Sequence, residues 1–223
     1  SGISGIASCL VMCRLLLVRA AGEFSISERL KRLAEISRGS KEFQGHGWGC
    51  AYLEEDQWRF YKNIKPIWED DLSQFGKTTL LLGHARSAFK DEGIKVENNM
   101  PFHDDRCVFI FNGELRGVKI SEQGRIGAEK IFNVSKRFDR GDLLEALKKG
   151  VEIIQKRTQY VRAMNIILAD KKAAYVASVF NEDPEYFTLH YRQTPDRLVI
   201  CSERLAPDGG WAKIDNNTIR SFR

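Results

Sequence analysis

The residue with the most evident chemical potential is Cys13, which directly follows Met12 and begins a nearly unbroken apolar run that ends at Val18. A short run of this kind is typical of a buried strand. If Met12 is the first residue translated and is then removed, the thiol and the α-amine of Cys13 supply a nucleophile and a base on one residue. A lone cysteine in an apolar run is more often a buried structural residue, so the interpretation depends on residues farther along the chain.

Two other groups follow predicted strands. Arg86 comes after the apolar strand Thr78–His84, and its planar fork of donors is suited to binding a carboxylate. Asn112 and Gly113 follow the strand Val108–Phe111, where a side-chain amide and a backbone N–H can point at one oxyanion. Each such donor contributes about 3–4 kcal/mol to a transition state. Taken alone, an arginine at a strand end is more often part of a surface ion pair, and Asn-Gly is more often a turn.

Composition limits the function classes. The chain has 223 residues, 43% hydrophobic and 29% charged, which is typical of a soluble globular protein. The net charge of +5 is spread without long basic runs, so neither nucleic acid nor membrane is expected as a partner. The first 22 residues lack the basic start of a signal peptide. Five cysteines, an odd number without metal-ligand spacing, predict reduced thiols, no metal site and a cytoplasmic location.

The remaining elements are predicted from periodicity and caps. A capping box at Ser25–Glu28 predicts a helix over 26–37, and Asp142 is predicted to cap another helix. Because the helices are segregated from the strands, the fold class is α+β, with mainly antiparallel sheets and one domain. Further predictions are a hairpin (48–53 and 58–61), a short helix (68–75), a polar loop (89–102), a helix (128–138), and strands at 165–169, 173–180, 187–191, 198–202 and near 218.

Taken in order, a series of short motifs resembles the class II glutamine amidotransferases of the N-terminal-nucleophile hydrolase superfamily, and most of all the free-standing type without a synthase domain. The resemblance covers about residues 13–216 and implies a four-layer αββα sandwich with two stacked, mainly antiparallel sheets, formed by one domain over 13–223. The matching segments are MCRLL (12–16), GWG (47–49), GHAR (83–86), ENNMPF (97–102), FNGEL (111–115), AEKIF (128–132), NIILAD (165–170), Ser202-Glu203 and Trp211.

The resemblance also implies an activity, the cofactor-free hydrolysis of glutamine, or of a related γ-glutamyl amide, at the side-chain amide. By motif position, Cys13 is the nucleophile, Arg86 binds the α-carboxylate, and Asn112 with the Gly113 N–H forms the oxyanion hole. An α-amine has a pKa near 8, so a useful fraction is unprotonated at neutral pH and can take the thiol proton. The other expected substrate-binding residues are Ser87, Trp48 and Asn98.

The chain departs from the family pattern at four positions. His46 stands where an acidic residue usually precedes Gly-Trp-Gly, and Met100 and Phe111 each replace a histidine. Gly127 replaces the aspartate that holds the substrate ammonium, and a buried ammonium without a counter-charge costs several kcal/mol. Either another acid substitutes, or the substrate is not free glutamine, or the site is no longer catalytic. His46 itself and His84 are expected to be hydrogen-bonded structural residues.

Three functions therefore stay open: a glutaminase-type cysteine amidohydrolase, a catalytically retired binding or regulatory module, and a related γ-glutamyl or acyl amidase. Residues 1–12 are a leader, a propeptide, an over-extended gene start or an expression remnant. While they are attached, Cys13 has no α-amine to act as base. An amidotransferase activity also implies a separate synthase that accepts the ammonia, and the sequence leaves a homo-oligomer open.

Overall fold

The computed structural model of the protein describes residues 8–88, 93–206 and 209–223. Strands dominate these ranges, and the longer helices lie in two separate places along the chain. The elements in chain order are β1 (Ser8–Val11), β2 (Arg14–Ser25), α1 (Ile26–Arg38), β3 (Trp48–Glu54), β4 (Gln57–Asn63), β5 (Lys77–Ala85), β6 (Phe102–His103), β7 (Val108–Val118), α2 (Gly127–Lys136), α3 (Leu143–Lys156), β8 (Thr158–Ala169), β9 (Ala174–Phe180), α4 (Pro184–Phe187), β10 (His190–Thr194), β11 (Arg197–Cys201), β12 (Ala212–Lys213) and β13 (Thr218–Phe222).

The strands form two stacked antiparallel sheets. One has the order β1-β7-β8-β9-β13, with β6 also paired to β7. The other has the order β12-β10-β11-β2-β5-β3-β4. Helix α1 packs on β2 and β5 of the second sheet, whereas α2 and α3 pack on strands of the first. The predicted four-layer αββα sandwich is therefore confirmed.

Strand β2 explains why the apolar run after Cys13 is nearly unbroken. Successive side chains of a strand point to opposite faces, and both faces of β2 are covered. Leu15 and Leu17 pack in the core between the sheets, and Leu16 and Val18 pack in a second core beneath α1. The run is thus a strand buried on both sides, as the sequence predicts. Cys13 belongs to the same core cluster as Leu15 and Leu17.

The predicted helix starts are also confirmed. The Ser25 hydroxyl accepts a hydrogen bond from the Glu28 N–H at 3.2 Å, and the Asp142 carboxylate accepts one from the Glu145 N–H at 3.0 Å. Each cap satisfies a backbone donor that the first turn of a helix leaves unpaired.

Three local predictions are wrong. The strand predicted to stop at Phe111 runs on to Val118, because Asn112 and Gly113 pair with β8, and this pairing overrides the turn preference of Asn-Gly. The predicted strand 187–191 is instead the end of α4 followed by β10, since Pro184 begins a helical turn. The helix predicted over 68–75 is a pair of 3₁₀ turns. Part of the predicted polar loop over 89–102 lies outside the described residues.

Helices α2 and α3 approach each other closely at Gly150. A Cβ atom built at this position would lie 2.7 Å from the Cα of Ser135 and 2.8 Å from the carbonyl oxygen of Val134. Both of these contacts are backbone atoms, which cannot rotate away as a side chain can. The glycine therefore sets the distance between the two helices that cover the first sheet.

We expect Gly150→Ala to lower the free energy of unfolding by about 1–3 kcal/mol, because overpacking outweighs the gain of about 1 kcal/mol from the better helix former. Chemical denaturation measures the change. Gly22→Ala is the matched control, since no heavy atom lies within 4 Å of a Cβ built there. A stabilising effect at Gly150 would contradict the close α2–α3 contact.

Candidate active site

Cys13 and Asn112 meet where β2 and β7 face each other across the two sheets. The backbone N–H of Cys13 donates to the Asn112 Oδ1 at 2.8 Å, and both residues are fully buried. The Asn112 Nδ2 is buried and has no hydrogen-bond partner in the described part of the chain. Leaving a buried donor unpaired costs about 1–3 kcal/mol. One side chain thus holds the Cys13 nitrogen and keeps a second, unused donor beside it.

Gly113 lies next to this pair in the middle of β7. A Cβ atom at Gly113 would be 2.3 Å from the carbonyl oxygen of Ala163, so no larger residue fits without moving backbone. On its other side, β7 is paired with β1, and Val11 lies opposite Gly113. The segment before Cys13 therefore runs beside the same backbone that carries the predicted oxyanion-hole donors.

The carbonyl group of Met12, which forms the peptide bond to Cys13, is held by two side chains. It accepts hydrogen bonds from the Gln44 Nε2 at 2.5 Å and from the Tyr186 hydroxyl at 3.2 Å. Neither residue is marked by a local sequence pattern, and 142 positions separate them. Only the folded chain reveals that they surround the Met12–Cys13 peptide.

Arg86 follows β5 and is 4% exposed. Its guanidinium donates to the carbonyl oxygen of Gly93 at 2.9 Å and to the Asn99 Oδ1 at 3.3 Å. Its Nε is buried without a partner among residues 8–88, 93–206 and 209–223. Burial lowers the pKa of Arg86, and the negative charge of a Cys13 thiolate acts in the opposite direction. The arginine therefore lies within electrostatic reach of the cysteine.

Asn98 shares a partner with Arg86. Its Nδ2 donates to the same Gly93 carbonyl oxygen at 3.0 Å. Its Oδ1 is buried and accepts no hydrogen bond from the residues that the structure describes. Ser87, half-buried, directly follows Arg86 in the chain. Three of the predicted substrate-binding residues thus cluster around one end of β5.

Trp48 lies elsewhere. Its indole packs in the core beneath α1 beside Tyr61 and Phe75, and its Nε1 donates to the Asp70 carboxylate at 2.9 Å. The structure does not bring this indole into the core cluster of Cys13. The turn before it approaches the site instead. Gly47 has a φ of +105°, and a Cβ atom built on it would lie only 2.3 Å from the Asn99 Nδ2. The glycine at this position therefore permits a close approach of the backbone to Asn99.

The two histidines singled out by the sequence are both hydrogen-bonded. The Nε2 of His84 is 3.2 Å from the carbonyl oxygen of Phe111, which requires the Nε2–H tautomer. Burial, with a smaller effect of Arg86, lowers the pKa of His84 to about 3, so the ring is neutral at physiological pH. The Nδ1 of His46 accepts a hydrogen bond from the Ala88 N–H at 2.8 Å. This geometry agrees with the structural roles expected for them.

Cys50, Cys107 and Cys201 are buried and form no disulfide. Burial raises the pKa of each thiol, to about 12 for Cys201 and higher for the other two. All three belong to the hydrophobic core. Within the described ranges, no group of three or more potential ligands is placed to hold a metal ion. Among the same residues, none of the helices combines the length and apolar character that crossing a bilayer requires.

A buried neutral His84 makes stability depend on pH. The unfolded state binds a proton below about pH 6.5, whereas the folded state does so only near pH 3. The contribution of His84 to the free energy of unfolding is therefore independent of pH above pH 6.5. As the pH falls from 6.5 to about 3, the free energy of unfolding falls by about 1.4 kcal/mol per pH unit, because the unfolded state binds the proton and the folded state does not.

We expect the stability advantage of the wild type over His84→Gln to shrink by about 2 kcal/mol between pH 7 and pH 5, because only the wild type loses this contribution. Urea denaturation at both pH values measures the difference, and titrating carboxylates affect both proteins alike. A difference in unfolding free energy between the two proteins that stays constant from pH 7 to pH 5 would show that His84 has an ordinary pKa in the folded chain.

Comparison with known proteins places this geometry in context. No family model matches the sequence. A sequence relative, the gamma-glutamyl-hercynylcysteine sulfoxide hydrolase of Mycolicibacterium smegmatis, is 25% identical over 184 residues, which cover 79% of this chain and 77% of the relative.

Solved structures of similar fold extend the comparison. They include the glutamine PRPP amidotransferase of B. subtilis (15% identity, TM-score 0.64, 95% of this chain). A glutamine aminotransferase class-II domain protein of Silicibacter pomeroyi matches with 16% identity and a TM-score of 0.66, over 94% of this chain and 93% of that one. A predicted glutamine amidotransferase of Pseudomonas aeruginosa has 18% identity and a TM-score of 0.60, over 94% and 97%. The chain spans 49% of the B. subtilis protein.

The resemblance seen in the sequence is confirmed at the level of architecture: the chain has the N-terminal-nucleophile hydrolase fold of the class II glutamine amidotransferases.

Proposed function

We propose that the chain hydrolyses the side-chain amide of glutamine, or of a related γ-glutamyl amide, with Cys13 as an N-terminal nucleophile. The observation that carries the proposal is the contact between the Cys13 nitrogen and the Asn112 Oδ1 at 2.8 Å, which leaves the Asn112 Nδ2 without a partner in the described chain. The fold and the relative named gamma-glutamyl-hercynylcysteine sulfoxide hydrolase support the same class of reaction.

The proposed reaction uses groups already in place. The α-amine of Cys13, oriented by the Asn112 Oδ1, takes the thiol proton as the sulfur attacks the amide carbon. The resulting oxyanion accepts hydrogen bonds from the Asn112 Nδ2 and the Gly113 N–H. The amine then returns the proton to the leaving nitrogen, which departs as ammonia or as an amine. Water hydrolyses the remaining thioester to a free γ-carboxylate and restores the thiol.

Substrate binding is assigned to the cluster at the end of β5. Arg86 binds the α-carboxylate, a role for which its buried, partly unused guanidinium is suited. The unpaired Asn98 Oδ1 is an acceptor for the α-ammonium, where Gly127 offers no side chain. The Ser87 hydroxyl adds a donor beside Arg86. Trp48 contributes by fixing the turn that packs against Asn99.

The proposal requires that Cys13 become the first residue. With residues 1–12 attached, its nitrogen is an amide and cannot act as a base, and β1 covers the strand edge at Gly113. Removal of this segment supplies the amine. In this proposal the ammonia acceptor is a separate synthase, and the buried, non-disulfide cysteines fit the cytoplasm.

A second candidate is a catalytically retired module that binds a γ-glutamyl amide or another protein. Two observations favour it: the Met12–Cys13 peptide is held by Gln44 and Tyr186, and Gly127 replaces the ammonium-binding acid. A third candidate is an amidase for γ-glutamyl or acyl groups that lack the ammonium. Turnover of a panel of amides by the shortened chain separates the three.

We expect a chain that begins at Cys13 to release ammonia from glutamine or an amine from γ-glutamyl amides, while the chain that retains residues 1–12 does not. Glutamate dehydrogenase-coupled detection of ammonia, with intact-mass measurement of each preparation, tests this. Cys13→Ala in the shortened chain is the control and should be inactive. Turnover by a preparation whose mass shows the intact segment would contradict the proposed base.

Asn112→Ala should lower kcat by about 10²–10³, with a smaller change in KM, because its donor acts mainly in the transition state. Arg86→Gln should mainly raise KM, since the carboxylate is bound equally in the ground state. Steady-state kinetics of the shortened chain measure both, and Asn133→Ala on the exposed side of α2 is the matched control. If the two variants exchanged these kinetic signatures, the assigned roles would be wrong.

A further inference from the structure

A cavity of about 1330 Å³ is lined by Arg14, the residue after Cys13, and lies on the side of β2 away from Arg86. In the second sheet, β2 has β5 on one side and β11, β10 and β12 on the other. Arg86 follows β5, whereas Ser202, His190 and Lys213, which line the cavity, lie at or next to β11, β10 and β12. We call it the β10 cavity. A molecule lying across the end of β2 would contact the arginine on one side and the cavity on the other.

The wall between Cys13 and the β10 cavity is formed by Arg14 and Tyr186. The Arg14 guanidinium lies 4.4 Å from the centre of the Tyr186 ring and 3.1 Å from the Glu203 carboxylate. The Tyr186 hydroxyl reaches past this stack to the Met12 carbonyl oxygen. Arg14 is 4% exposed, and its Nε has no partner in the part of the chain described. The cavity thus begins one side chain away from the predicted nucleophile.

The far side of the cavity is basic. His190 pairs with Lys213 in neighbouring strands, and Arg204 is close enough to act on the same ring. Burial lowers the pKa of His190, and the positive charges of Arg204 and Lys213 lower it further. The His190 Nδ1 and the Trp211 Nε1 are buried without partners within the described ranges, and an indole nitrogen can only donate. The Trp211 indole therefore calls for an acceptor, and the neighbouring Arg204 and Lys213 side chains favour one that carries negative charge.

The acidic residues of the cavity do not meet this need. Asp183 is paired with Arg162 and Lys41, and Glu203 is paired with Arg14. Glu185 lies on α4, not on the strands that carry His190 and Lys213. No carboxylate of the described residues forms an ion pair with Arg204 or Lys213. The positive end of the cavity is therefore open to an external anion.

We propose that the β10 cavity binds the amine half of a γ-glutamyl amide substrate, by a carboxylate on that half. The proposal rests on the proposed function and narrows it, because glutamine itself has nothing beyond its amide nitrogen to place there. Small-molecule sites usually have volumes of about 300–1,000 Å³, so a cavity of this size accommodates an amino acid or a short peptide. The substrate class is thus γ-glutamyl amino acids or peptides, bound across β2 with Arg86 at one end and Lys213 and Arg204 at the other.

The kinetic test compares γ-glutamylglycine with γ-glutamyl methylamide, which lacks the carboxylate, on the chain that begins at Cys13. We expect wild-type kcat/KM to favour γ-glutamylglycine by about tenfold or more, and Lys213→Gln or Arg204→Gln to lower this preference about fivefold each. Lys149→Gln, an exposed lysine on α3 outside the cavity, should leave the preference at the wild-type value. Equal rates on the two amides in the wild type would overturn the proposal.

A binding measurement separates this inference from the proposed function. Calorimetric titration of the two amides into the Cys13→Ala chain needs no turnover. Tighter binding of γ-glutamylglycine that is weakened by Lys213→Gln and by Arg204→Gln supports the cavity assignment, even if no amide is hydrolysed and the proposed function fails. Identical affinity for both amides, or affinity unaffected by either substitution, overturns the cavity assignment whether or not glutamine is a substrate.

Discussion

The arrangement depends on the stacking of two strands that belong to different sheets. Strand β2 leads away from Cys13, and β7 carries Asn112 through the middle of the facing sheet. The 2.8 Å contact between the Cys13 nitrogen and the Asn112 amide exists only because the apolar faces of these strands pack against each other. Burial on both sides of β2 holds its start in place. The packing that forms the hydrophobic core therefore also sets the distance between Cys13 and Asn112.

A network of ion pairs lies beside the same region. Glu114, adjacent to Gly113, is 2% exposed and pairs with Arg116 and Arg162. Arg162 also pairs with Asp183 at the start of α4, the helix that carries Tyr186. A buried carboxylate is tolerated only when such partners surround it. This network ties β7, β8 and α4 together, the elements that carry Asn112, Arg162 and Tyr186.

Local patterns predicted much of the fold and part of the site. The caps at Ser25 and Asp142 and the apolar run after Cys13 report interactions within a few residues, and these predictions are confirmed. Asn112-Gly113 has the local pattern of a strand end, but its pairing with β8, which is distant in the chain, continues the strand. Gln44 and Tyr186 carry no local signal for the same reason, because only the fold places them beside Met12. The motifs name Arg86 and Asn98, which the fold brings to the same Gly93 carbonyl oxygen, but they could not show that the Trp48 indole turns toward α1.

The pairing of β1 with β7 has a consequence for solution behaviour. Ser8 to Val11 cover the backbone of β7 from Gly113 to Arg116, a stretch that otherwise has no neighbour on that side in the described sheet. A chain without this segment presents an open strand edge, with backbone groups ready to pair with any extended peptide. The ion-paired Glu114 and Arg116 lie along that edge, and charges in such positions discourage self-association. Removal of the segment would thus replace a paired strand edge by an open one, at which water or an extended ligand could reach the backbone of Gly113.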